Sequence, residues 1–163
     1  MCKYLIKGLR KYLVLYTIIG VLFFPICTMA AGTVVVTAET LPNNDIRTLI
    51  FTCTADAADG SFPDTTLTAD QYAYVRGFHF YQALTDPGST APTANYDIVV
   101  NDAYGGDISG GELSDRSSTA TERIAPKVGN AYGGATVNSN LTVQISNNSV
   151  NSATVVIILM FSR

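Results

Sequence analysis

The chain has 163 residues and a formal net charge of −3, with 47% hydrophobic and only 14% charged residues. That length and apolar content suit one domain with a sizeable core, and the charged fraction lies well under the roughly 25% of an average globular chain. Lys3, Lys7, Arg10 and Lys11 precede residue 31 with no acid among them, so the remainder holds 10 − 4 = 6 bases against 13 acids, a balance of −7 that argues against nucleic acid or anionic membrane as its partner.

Residues 1–30 have the pattern of a secretory signal peptide. The segment MCKYLIKGLRK carries four positive charges, YLVLYTIIGVLFF is a compact apolar core, and Thr28-Met29-Ala30 before Ala31 is a small-x-small cleavage site. An uncleaved anchor is the alternative, because residues 12–31 approach the ~20 that span a bilayer. A lipoprotein anchor would use Cys27, but Pro25-Ile26 is bulky where small residues are needed. Cys2 and Cys27 fall in this leader, which leaves Cys53 alone in residues 31–163 and no intrachain disulfide.

After the leader, Thr33-Val34-Val35-Val36-Thr37 reads as a strand, broken by Leu41-Pro42-Asn43-Asn44-Asp45. Residues 46–54 alternate Arg47, Leu49, Phe51 and Cys53 against Ile46, Thr48, Ile50 and Thr52, which makes Cys53 a small buried hydrophobe. An Asp/Gly/Pro-rich loop follows over residues 55–64. Thr68-Ala69-Asp70-Gln71 caps one helical turn at most. Residues 72–84, YAYVRGFHFYQAL, read as a long aromatic strand with a bulge or bend at Gly77.

Residues 84–116 are the organising stretch. Asp86-Pro87-Gly88 and Tyr104-Gly105-Gly106-Asp107 are turn chemistry around a strand from Tyr96 to Asn101. On that strand Tyr96, Ile98 and Val100 share one face, and Asp97, Val99 and Asn101 the other. A Ser/Thr-rich connection over residues 114–122 and a turn region over 129–136 lead to an alternating strand at 141–145. After a turn at 147–152, residues 154–161 (TVVIILMF) are apolar on both faces, as in a central strand or one covered by a partner. The expectation is an all-β chain, a single antiparallel β-sandwich of jelly-roll or Ig-like kind with seven to nine short strands. No internal repeat divides it, and too few strands qualify for an outer-membrane barrel.

Candidate chemistry is sparse. His79 is the single histidine, set between Phe78 and Phe80 on alternating positions, and no G-x-S-x-G, H-E-x-x-H or C-x-x-C accompanies it. Asp97, Asn101, Asp102, Asp107 and Glu112 surround a Gly-rich turn, but their spacing fits no calcium loop, so turn and capping roles are expected. Tyr72, Tyr74, Phe78, Phe80 and Tyr81 could form a sugar-stacking row, but aromatics on alternating strand positions are more often core and interface, and the chain has no Trp. Asn140-Leu141-Thr142 and Asn147-Asn148-Ser149 match the glycosylation sequon.

The segments Thr85-Asp86-Pro87-Gly88, Ala91-Pro92-Thr93 and Asn95-Tyr96-Asp97-Ile98 resemble small structural proteins encoded in tailed-phage and prophage genomes. So do Gly106-Asp107, Gly110-Gly111, Leu113, Arg116 and Thr121-Glu122, while Asn147-Asn148-Ser149 and residues 154–158 are similar to that group's last hairpin. The likeness covers residues 31–161 and implies a virion-associated β-domain with no active site to carry over. Such proteins often begin near a segment like Met29-Ala30-Ala31-Gly32-Thr33-Val34, without a leader. This chain is therefore either exported or translated from Met29.

No catalytic, cofactor-binding or metal-ligating residue is assigned, and no cofactor is expected. The expected function is that of a non-enzymatic structural protein, secreted or at the cell surface, or in a virion if translation starts at Met29. Its expected partners are copies of itself or other particle or surface proteins, with membrane contact only through residues 1–30 if they are retained. The alternative is a secreted carbohydrate- or surface-binding module using Tyr72, Tyr74 and Tyr81.

Overall fold

The two-faced apolar run at the end of the chain lies in the middle of a sheet. In the computed structural model, which describes residues 30–40 and 45–163, this run is β10 (Thr154–Ser162). It is flanked on one side by β2 (Ile46–Thr54) and then β1 (Thr33–Thr40), and on the other by β4 (His79–Pro87) and then β6 (Glu122–Ile124). All pairings in this five-stranded sheet are antiparallel. A second antiparallel sheet holds β3 (Thr65–Thr66), β9 (Thr142–Ser146) and β5 (Asp97–Asn101), in that order. A two-residue ladder joins β7 (Lys127–Val128) to β8 (Ala131–Tyr132). Apart from Ala30, the leader lies outside the described residues, as does most of the break after β1.

The core forms where the period-2 patterns of the two sheets face each other. The larger sheet contributes Leu49 and Phe51 from β2, Phe80 from β4, and Ile157 and Phe161 from β10. The smaller sheet contributes Ile98 and Val100 from β5 and Val143 and Ile145 from β9. Tyr96 is wholly buried beside them, which fits the face expected for it. Arg47 shares the inward parity of Leu49 at the end of β2, where its guanidinium lies 4.1 Å from the Phe78 ring centroid and 4.9 Å from that of Tyr74.

An all-β antiparallel sandwich is therefore what the residues build, with ten strands among those described. The excess over the expected number comes from β3, β7 and β8, each two residues long and too short for periodicity to register. From β2 onward most connections cross between the two sheets. One is the link from β9 to β10: these strands lie in different sheets, so residues 147–153 form an arch, where the resemblance implied a hairpin.

The aromatic segment departs furthest from expectation. Residues 69–75 form a helix, α1 (Ala69–Val75), and the strand begins only at His79. Thr68 caps the helix reciprocally: its hydroxyl accepts from Gln71 N at 3.3 Å, and Gln71 Oε1 accepts from Thr68 N at 2.9 Å. Val75 is buried and Tyr72 and Tyr74 pack against the core, so helical spacing is present within a run rich in strand-forming aromatics. Gly77, at φ +79°, turns the chain out of the helix. The bulge falls at Tyr81, which is skipped between the pairs Phe161–Phe80 and Met160–Gln82.

Cys53 is 1% exposed and unpaired, as its alternation implied. Burial pushes its thiol from the ordinary 9.0 up to about 12. Burial likewise raises Tyr96 from 10.0 to about 12, against the opposing pull of the Thr85 hydroxyl and Arg116. The Tyr96 and Thr85 hydroxyls are buried, and neither completes a hydrogen bond among the described residues. The unfolded chain gives up both protons at the ordinary values, whereas the folded chain holds them to about 12. Their contribution to stability is thus complete below the ordinary values and is lost as pH rises toward 12. Urea midpoints measured from neutral pH to about pH 11 are expected to fall, and Cys53→Ala is expected to flatten the first part of that fall.

Candidate functional site

The side chains singled out for chemistry are dispersed, and most are occupied. His79 is exposed at the start of β4, with Nδ1 3.0 Å from the Thr136 hydroxyl. Tyr72 and Tyr74 lie on α1, where their hydroxyls donate to the carbonyls of Asn138 and Glu39. Tyr81 lies on β4, its hydroxyl 3.7 Å from Met160 Sδ. These three rings thus lie on two different elements. Asn140 spends its amide on Leu67 O and Leu141 N, and Asn147 donates to Asp97.

The acids of the Gly-rich turn build the turn itself. Asp107 accepts from the backbone of Val100, Ser109 and Gly111 and from the Ser109 hydroxyl, which leaves its carboxylate saturated. Asp102 Oδ1 accepts from Tyr104 N at 2.9 Å and Gly106 N at 2.8 Å, closing a tight Asx turn. Asp97 Oδ1 accepts from Asp115 N, and Asn101 Nδ2 donates to Gln144 Oε1. Glu112 pairs with Lys127 at 2.6 Å.

Two surfaces stand out among the described residues. The first is the outer face of the five-stranded sheet. Alternation that sends Phe51, Ile157 and Phe161 inward sends Ile50, Val156, Ile158 and Met160 outward. The strand registers align Thr37, Ile50, Ile158, Leu84 and Arg123 in one row across all five strands. Ile50, Leu84, Val156, Ile158 and Met160 are half-buried, belonging neither to the core nor to the residues packed against it, and Val35 is 59% exposed. The bordering β1 edge is partly guarded by α1, through Gln71 Nε2 donating to Val36 O at 3.4 Å and the Tyr74 hydroxyl donating to Glu39 O.

The second surface is a cleft of about 290 Å³ where the turn at residues 102–110 meets residues 127–135. Asp102, Asp107 and Lys127 line it together with Ile108 and Val128. Its walls approach through glycine: a Cβ on Gly110 would lie 2.3 Å from Lys127 O. A short signal for this surface is present in the sequence, outside the periodicity that marks strands. The tetrapeptide Ala-Tyr-Gly-Gly occurs twice, at residues 103–106 and 131–134, once in each of the two loops that meet here. Both tyrosines project into solvent, Tyr104 at 89% and Tyr132 at 69% exposure.

Among the described residues no helix is long and apolar enough to cross a membrane, and no group of three or more His, Cys, Asp or Glu side chains is placed to hold a metal. No protein-family model matches the chain, and no curated protein is detectably similar to it.

Proposed function

We propose that this protein is a non-enzymatic structural component of an extracellular or virion-like particle, and that it assembles through the outer face of its five-stranded sheet. The observation that carries this reading is the apolar row centred on Ile158. A central strand with both faces apolar gains by burying the second, and roughly 25 cal/mol is recovered per Å² of apolar surface covered. The threonines around the row, Thr48, Thr52 and Thr154, are β-branched and uncharged, while the charges of Asp86 and Arg123 lie on the β4 and β6 side of the face. Likeness to phage structural proteins in the turns around β5 supports a particle as the setting.

The purified chain is expected to be multimeric by size-exclusion chromatography with light scattering. Ile158→Lys is expected to make it monomeric while changing folding stability by only about 1 kcal/mol, because the position is half-solvated before assembly. A wild-type protein that stays monomeric at high concentration would sink the reading.

A further inference from the structure

We infer that a second copy of this chain covers the outer sheet face, related to the first by a two-fold axis along β10, with Glu39 of each copy set against Arg123 of the other. The inference rests on the reading of this face as the assembly surface, and adds the occupant and its orientation. β10 is the middle strand of five, with β1 and β6 two strands away on either side. A two-fold axis running along β10 between the two faces therefore sets β1 over β6 of the other copy and β2 over its β4. The central strands are nine residues long. At about 3.4 Å per residue and about 4.8 Å between strands the face has a footprint of about 700 Å² per copy, near the ~800 Å² per partner of a stable pair.

The charges on the face choose this axis. Glu39 has the outward parity of Val35 and Thr37 on β1, and Arg123 is the register partner of outward Leu84. Both side chains are exposed, and neither forms an ion pair among the described residues. The registers place Glu39, Thr48, Met160 and Gln82 in one row across four strands. Arg123 Nη1 donates to Gln82 Oε1 at 3.1 Å, which draws its guanidinium to the far end of that row. Rotation about β10 carries each end of the row onto the other, so two unlike-charge contacts form, one on each side of a shared apolar strip. Asp86, also outward, comes to lie over Thr52, which shares its row through Val156, and meets no like charge. A two-fold axis lying across the strands through Ile158 does the opposite. Arg123 lies in the row of Ile158 itself, so that axis would set guanidinium against guanidinium. The apolar strip supplies the affinity, and the placement of charge fixes the orientation.

The test is sedimentation velocity of the full chain as wild type, Glu39→Arg, Arg123→Glu, the double variant, and an equimolar mixture of the two single variants. The wild type is expected to form pairs. Each single variant puts like charges at both contacts and is expected to weaken pairing by about tenfold or more. The mixture and the double variant restore unlike charges at both contacts and should pair as the wild type does. Both positions are exposed, so urea midpoints of the variants should match the wild type and report that the fold is intact. Assembly that Ile158→Lys abolishes but the single charge variants leave unchanged would overturn the two-fold arrangement and leave the use of this face standing. Single variants whose mixture fails to pair would do the same. A wild-type chain that stays monomeric at high concentration would overturn both.

Discussion

Phe161→Ala is expected to destabilise the protein by about 3–5 kcal/mol, a larger loss than truncation at any solvent-facing position of the same strand. Phe161 is fully buried next to the Tyr81 bulge, and its ring lies 5.5 Å from that of Phe80 at a tilt of 43°. Removing the ring forfeits its transfer free energy and leaves a cavity at a point held by two neighbouring strands, where the backbone has little room to collapse. Met160→Ala, one residue earlier and on the outer face, supplies the contrast. It is half-buried, so its truncation should cost about 1 kcal/mol or less. Urea unfolding measures both, and the loss should appear in the midpoint with the slope unchanged. Equal losses at the two positions would contradict the inward–outward alternation of β10.

Asp107→Ala should follow closely, with a loss of about 3 kcal/mol or more, although the residue lies in a turn at the surface. Its carboxylate accepts from three backbone N–H groups and from the Ser109 hydroxyl, at 2.7–3.3 Å. Ser109 is wholly buried, so its orphaned hydroxyl and amide would have no solvent to turn to. Asp107→Asn keeps one acceptor oxygen and is expected to lose about half as much. If both variants unfold at the wild-type urea midpoint, the turn does not depend on this carboxylate.

Particular elements show how far local pattern reaches. The strand at residues 46–54 is legible to the residue, because Leu49, Phe51 and Cys53 alternate against polar or outward partners and one face must be buried. The strand after Tyr96 and the last strand are legible for the same reason, within one or two residues at their ends. Helix α1 is not. Its seven residues are mostly aromatic, β-branched or small, and Thr68 with Gln71 announces a helix start but cannot say how far the helix runs. The structure settles it by burying Val75 and placing Gly77 at positive φ.

The candidate surfaces divide in the same way. That residues 154–161 are apolar on both faces can be read from the chain, and so can the turn-building bias of Asp102 and Asp107. Which apolar face remains open depends on sheet order, and order is set by pairings such as Ile158 with Ile50 and Leu84, far apart in the chain. The meeting of two Ala-Tyr-Gly-Gly loops at one cleft is likewise invisible to local pattern, although the repeated tetrapeptide itself is plain. The sequence by itself determined that the chain is all-β and which residues of each alternating strand share a face, because periodicity is a local property enforced by burial. Only the tertiary structure decided which strands become neighbours, which face is left uncovered and which loops converge, because those depend on long-range pairing that no window of sequence contains.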